Sequence, residues 1–159
     1  MPLFSILIGA KNRPTALVNC IKSILCQACQ DFEIIVLDDN SKMQLSEVLI
    51  TEFPDINVIK CIRSNKSLGV SGGRNLLIKN ANGKYLIILD DDAAFKNTNA
   101  LDLIVDSFKK DPDIALIAFK IIDMIDNKPV NLRVPFSRHQ IKKQKNIVDL
   151  PHHVSYFQG

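Results

Sequence analysis

Apolar runs and amphipathic stretches alternate along the first 122 residues of this chain. Phe4 to Ile8 is a short continuous apolar run, which predicts a buried strand. Thr15 to Gln27 carries Ala16, Leu17, Cys20, Ile24 and Leu25 at helical spacing, so it predicts a helix with one apolar stripe. Phe32 to Leu37 predicts a second strand, and Leu45 to Glu52 a short helix stopped before Pro54. Ile56 to Ile62 predicts a third strand. Ser71 to Ala81 predicts a helix closed by Asn82-Gly83, a C-cap signal. Tyr85 to Leu89 predicts a fourth strand, Ala100 to Lys110 a helix ended by Asp111-Pro112-Asp113, and Ile114 to Ile122 a fifth strand. From Asp123 the periodicity loosens. Asp126-Asn127-Lys128-Pro129 reads as a turn, and His152 to Gly159 as the beginning of another strand.

Continuous apolar strands separated by helices predict an α/β fold: an open, mostly parallel sheet flanked by helices. The length of 159 residues accommodates one domain with a substantial core. The expected division is a βα core over 1–122, followed by an incomplete second part over 123–159. Hydrophobic residues make up 47% and charged residues 23%, the balance of a globular chain rather than a disordered one. No apolar run reaches the roughly 18 residues of a membrane span, and Met1-Pro2-Leu3-Phe4-Ser5 lacks the form of a secretory signal. A cytoplasmic location is the expectation.

The net charge of +3 is unevenly placed. Lys128, Arg133, Arg138, Lys142, Lys143 and Lys145 face only Asp149 between Asn127 and Asp149. Such a stretch is either a solvated loop or a surface for phosphates, a peripheral membrane contact or an acidic partner. It lacks the interleaved aromatics of a single-stranded nucleic-acid surface, so no nucleic-acid partner is expected. Cys26-Gln27-Ala28-Cys29 has redox-motif spacing but lies at the end of a predicted helix, where no dipole lowers a thiol pKa. The four cysteines are expected to be buried free thiols.

The chemistry concentrates where strands end. Ligands of open α/β sheets bind beyond the carboxyl ends of the strands. Gly9-Ala10-Lys11-Asn12-Arg13 follows the first strand, Asp38-Asp39-Asn40-Ser41 the second and Asp90-Asp91-Asp92 the fourth. Three adjacent carboxylates repel one another unless a cation sits among them. A hard divalent cation bound through oxygen is one answer, and it can also hold a diphosphate.

Together with Asn12-Arg13-Pro14, Asn65, Leu68-Gly69-Val70-Ser71-Gly72-Gly73-Arg74-Asn75 and Gly83-Lys84-Tyr85, these clusters resemble the nucleotide-binding half of the inverting family-2 glycosyltransferases, which have the GT-A, Rossmann-like fold. The resemblance runs from about Leu3 to Phe95 and then weakly to Gly159. It implies that Gly9, Lys11, Asn12 and Arg13 border a nucleotide base, and that Asp39 accepts a hydrogen bond from the imide N–H of uracil. Asp38 either joins the nucleotide site or holds the loop. Arg74 would lie near the base or the diphosphate. Asp90 to Asp92 matches the family's DxD motif. Asp92, with Asp90, would ligate Mg²⁺ or Mn²⁺; Asp90 would also lie toward the ribose, and Asp91 would share either task. Gly72-Gly73 departs from the family's usual pattern and is expected just before a helix start, close to a ligand or strand.

The implied partner is a nucleotide-sugar donor of UDP or dTDP type, with the acceptor unidentified. The family's general base, an Asp or Glu, lies beyond a strand whose beginning Val154 to Gly159 resembles. The chain therefore reads as truncated, able to bind a donor but a poor catalyst alone, with self-association favoured by a half-built sheet. His152 and His153 read as bystanders. Two other readings stay open: an inactive binding fragment using the basic 127–149 stretch, and a nucleotidyltransferase-like enzyme, although only Gly9, Lys11 and Arg13 stand for its usual loop. A G-x-G-x-x-G dinucleotide fingerprint is absent from Gly9 to Thr15.

Overall fold

The computed structural model describes residues 1–119 and Ile122. The chain divides into two compact units, Met1–Asp113 and Ile114–Gly159, and the first holds the fold described here. Its elements are β1 (Phe4–Ala10), α1 (Pro14–Leu25), β2 (Phe32–Asp38), α2 (Leu45–Glu52), β3 (Ile59–Arg63), α3 (Gly69–Lys79), β4 (Tyr85–Asp90) and α4 (Ala100–Lys110). The strands form one parallel sheet in the order β3-β2-β1-β4.

That order explains the layers. The chain steps from β1 to β2 to β3 in one direction, then returns across the sheet to β4. Right-handed crossovers therefore put α1 and α2 on one face and α3 on the other. Side chains alternate between those faces. Leu7, Ile35 and Leu37 turn to the α3 face and bury Leu77, with Ile62, Leu68 and Leu76 packed around them. Phe4, Ile6, Ile8, Ile34 and Val36 supply the other face, where α1 buries Leu17, Ile21 and Ile24. Tyr85, on β4, stacks on Phe108 of α4 at 4.8 Å between ring centroids.

Four expectations need correction. The run Ile114 to Phe119 forms no strand, and Ile122 makes only an isolated bridge. Apolar residues make a strand only when a ladder partner takes their backbone groups, and periodicity carries no information about that partner. β3 begins at Ile59, because Pro54 to Val58 is taken up by turns. α3 begins at Gly69, so Gly72 and Gly73 lie inside the helix. The reason at Gly73 is packing: a Cβ there would stand 2.9 Å from Leu37 Cδ2. Asn82-Gly83 is not the cap of α3, which ends at Lys79 with Asn80 in right-handed geometry. Gly83 instead lets the chain pass against β1, where a Cβ would stand 2.3 Å from the Ser5 nitrogen.

The thiols also depart from expectation. All four are free, but only Cys20 is buried; Cys26 is exposed, and Cys29 and Cys61 are half-buried. Burial, then the nearby Asp91, Asp92 and Asp90 carboxylates, push the Cys20 thiol up to about 12. No described helix is long and apolar enough to cross a membrane. The basic 127–149 stretch, His152, His153 and the strand expected toward Gly159 lie outside the described residues.

Candidate donor site at the carboxyl edge of the sheet

Register brings the three clusters together. Ala10 pairs with Asp38 across β1 and β2, and Gly9 pairs with Asp90 across β1 and β4. The loops that follow these strands therefore leave the same edge side by side.

The first two loops are knitted to each other. Asn12 and Asn40 both adopt left-handed backbone (φ 57° and 60°), which asparagine tolerates better than most residues. Asn12 N donates to Ser41 Oγ at 2.9 Å, and Lys42 N donates to Asn12 Oδ1 at 2.8 Å. Pro14 then opens α1 at its first turn, where its missing N–H has no consequence. Lys11 and Arg13 are left exposed on this loop.

Asp38 and Asp39 diverge because successive residues at a strand end face opposite sides. Asp38 is 1% exposed. It accepts from Ser41 N at 2.8 Å and Leu45 N at 3.2 Å, and Arg63 Nη1 donates to it. Leu45 is the first residue of α2, so Asp38 caps that helix. Of the two roles expected of Asp38, this enclosure favours holding the loop, since its oxygens are taken up by Ser41, Leu45 and Arg63. Asp39 turns to the other side and caps α3. Its Oδ1 accepts from Leu68 N at 2.6 Å, and its Oδ2 from Ser67 Oγ at 2.7 Å and Gly69 N at 3.2 Å. It remains half-buried, with acceptor capacity to spare.

Both carboxyls titrate below their ordinary range. Burial opposes this, and the hydrogen bonds outweigh it, from Ser41 and Leu45 at Asp38 and from Leu68, Ser67 and Gly69 at Asp39. Arg63 at Asp38 and Lys11 at Asp39 add to the effect.

The acidic triplet splits in the same alternating manner. The Asp90 and Asp92 side chains are 73% and 53% exposed, whereas that of Asp91 is 8% exposed. Arginines supply the cations among them. Arg13 Nη1 lies 2.9 Å from Asp91 Oδ1 and Arg13 Nη2 3.0 Å from Asp92 Oδ2, while Arg74 Nη2 of α3 lies 3.5 Å from Asp90 Oδ1. Burial raises the Asp91 pKa against the opposing pull of Arg13. Asp91, like Asp38, is therefore committed inward, and the shared ligand role expected of it does not fit its burial.

Gly9 completes the site. It is exposed on the α3 face, and a Cβ added there would meet nothing within 4 Å. The sheet thus has an open floor beside Asp90, with Asp39 and Arg74 at its margins. Among the described residues, no three His, Cys, Asp or Glu side chains converge into a metal cluster. The donor set nevertheless suits a hard divalent cation that completes its shell elsewhere, since Asp90 at the end of β4 and Asp92 in the turn after it present exposed carboxylate oxygens. Arg63 and Ser67 were not apparent from the sequence as parts of this edge. No spacing rule links them to the two aspartates, although a strand-end Asp pair does predict one inward and one outward carboxylate.

Comparison with known proteins gives this edge its context. The chain is 36% identical over 92 residues to the UDP-Glc:alpha-D-GlcNAc-diphosphoundecaprenol beta-1,3-glucosyltransferase of Escherichia coli, covering 58% of this chain and 36% of that protein. It is 31% identical over 117 residues to the chondroitin synthase of Escherichia coli, covering 74% of this chain and 17% of that protein. The chain thus spans little more than a third of the length of the first of these relatives and less of the second. In fold it is similar to S. aureus TarS solved with UDP (TM-score 0.60, 22% identity, 67% of this chain and 32% of that one). It is also similar to the mannosyltransferase PcManGT from Pyrobaculum calidifontis solved with GDP-Man and Mn²⁺ (TM-score 0.61, 18% identity, 67% and 32%). Residues 5–158 match the family described as glycosyl transferase family 2. With its parallel sheet in the GT-A-like arrangement of these neighbours, the chain belongs to glycosyl transferase family 2.

Proposed function

We propose that this chain is the donor-binding part of a glycosyltransferase that takes a nucleoside-diphosphate sugar. The observation that carries this reading is the open floor at Gly9 beside Asp90, with Asp39 and Arg74 at its margins and Asp92 two residues beyond Asp90 on the same sheet edge. Asp39 receives the imide N–H of a uracil or thymine base through its remaining acceptor capacity. Its hydrogen bonds to α3 fix the carboxylate in place and keep it ionised for that task. Arg74 meets the diphosphate. Asp92 and Asp90 hold Mg²⁺ or Mn²⁺, which supplies compensation for the charge on the departing nucleoside diphosphate. Asp38 and Asp91 set the two loops from within. In the whole protein the sugar passes with inversion to an acceptor hydroxyl, deprotonated by a base outside the described residues. Residues 1–159 form a single donor-side domain in this reading.

Of the proteins named above, one is named for UDP-Glc, one was solved with UDP and one with GDP-Man and Mn²⁺, which supports a nucleotide-sugar donor without selecting the base. A thermal-shift panel of UDP, dTDP and GDP, each with and without Mn²⁺, tests the proposal, because a ligand that binds only the folded state raises the midpoint by mass action. The expected result is a metal-dependent shift with UDP or dTDP that Asp92→Ala loses. A shift of equal size in Asp92→Ala would remove the metal-ligand assignment. No shift with any nucleotide would favour a binding module instead.

A further inference from the structure

The two contacts of Arg13 are not equivalent. Its contact with Asp91 is a hydrogen-bonded ion pair at 2.9 Å to a side chain that is 8% exposed. Its contact with Asp92, at 3.0 Å, reaches a carboxylate that is 53% exposed. A buried carboxylate stripped of its partner is costly, whereas a surface pair exchanges readily with solvent and ions. The loop presenting Arg13 is also held in advance, since Asn12 is bonded to Ser41 and Lys42 on the neighbouring loop. The three carboxylates of the corner face two guanidiniums, Arg13 and Arg74, so the corner is nearly neutral before any ligand arrives.

We infer that Arg13 is a built-in counter-ion of the acidic corner: anchored on Asp91, it occupies the Asp92 carboxylate that a divalent cation needs, and yields it when the cation binds. The inference rests on the metal site proposed above. Arg13 is a positioning residue in this scheme. Its grip on Asp91 keeps the loop after β4 in place, and its release from Asp92 frees Nη2 for an anionic oxygen that arrives with the cation. The fold thereby avoids three uncompensated carboxylates in the free protein, and cation binding becomes an exchange of one positive partner for another. Without nucleotide that exchange is unfavourable to the metal, because displacing the guanidinium opposes its binding.

Calorimetric titration with Mn²⁺ tests this, using the parent chain, Arg13→Gln and the double variant Arg13→Gln/Asp91→Asn, each with and without UDP. Removing Arg13 alone also removes one positive charge, which by itself attracts the cation. The double variant keeps the net charge and removes the buried carboxylate that the single variant leaves unpaired, so it is the decisive arm. Without UDP it is expected to bind Mn²⁺ about three- to fivefold more tightly than the parent, the scale of one partly exposed ion pair. Its thermal midpoint should lie above that of Arg13→Gln. Equal or weaker Mn²⁺ binding in the double variant, with binding by the parent, overturns the role of Arg13 and leaves the proposed donor site standing. Mn²⁺ binding by the double variant when the parent binds none supports it. Absence of Mn²⁺ binding in all three chains, with UDP present, overturns the metal site and this inference with it.

Discussion

Asp38 and Asp39 are adjacent carboxylates with opposite surroundings, and the strand pleat is the cause. Asp38 turns toward α2 and ends enclosed by Ser41, Leu45 and Arg63. Asp39 turns toward α3 and keeps solvent access. Truncation should separate them. Asp38→Ala removes a buried acceptor of the Ser41 and Leu45 N–H groups and leaves the first turn of α2 uncapped, and is expected to lower stability by about 2 kcal/mol in denaturant unfolding. Asp39→Ala removes a cap at α3 and should lower stability by about 1 kcal/mol while abolishing the nucleotide-dependent thermal shift. Both carboxyls have folded pKa values below their unfolded ones, as does Glu33, whose burial is outweighed by Ser5 and Asn82. Their contribution is therefore present above the ordinary carboxylate range near pH 4 and is lost as pH falls below it. Asp91 has the opposite sign: its raised pKa favours the folded state at low pH, and that contribution fades as pH rises. Stability of the Asp39→Asn variant measured from pH 7 to pH 3 should accordingly fall less steeply than that of the parent chain.

At the scale of elements, α3 links the candidate site to the packed core. Leu68, its N-cap residue, offers no side-chain cap, and Asp39, just after β2, supplies one across the chain. A carboxylate at a helix N-terminus is stabilised by the partial positive charge there, so the base contact proposed for Asp39 would share one group with helix seating. Gly73 lets the helix settle onto Leu37, and the chain leaving α3 passes β1 at Gly83. These glycines should respond differently to a methyl group. Gly73→Ala gains about 1 kcal/mol of helix propensity but overpacks against a buried leucine tip, so its net loss should stay within about 2 kcal/mol. Gly83→Ala sets a Cβ against the β1 backbone, which cannot rotate away, and the midpoint of unfolding should fall further than for Gly73→Ala. The C-cap signal at Asn82-Gly83 was legible as punctuation, but its cause was not, because a close approach to another strand leaves no mark in local sequence.

At the scale of the molecule, the strand order makes the site. β1 lies between β2 and β4, so Gly9 is flanked by Leu37 and Asp90. A Cβ at Gly9 meets nothing within 4 Å and a β-branched residue suits a strand, yet it takes up space on the open floor. Gly9→Val is therefore expected to leave the unfolding midpoint unchanged or slightly raised and to weaken the metal-dependent binding of UDP at least tenfold in a titration. A midpoint that fell by several degrees would show that the open space serves packing instead.

Much of this was legible in the chain. Continuous apolar runs between amphipathic stretches are enough to predict a parallel sheet with covered faces, because a strand buried on both sides has no room for polar residues. The polar clusters after β1, β2 and β4 marked the functional edge for the same reason: charged groups are tolerated only where the apolar run stops. The fifth strand was misjudged because hydrophobicity reports the drive to leave water and says nothing of which backbone will pair. Tertiary structure alone decided which carboxylates face inward and which outward, that arginines from the loop after β1 and from α3 sit among the acidic triplet, and that Asp39 holds a helix as well as flanking the open floor. Those assignments depend on contacts between residues 16 to 78 positions apart, which the order and register of the strands bring together.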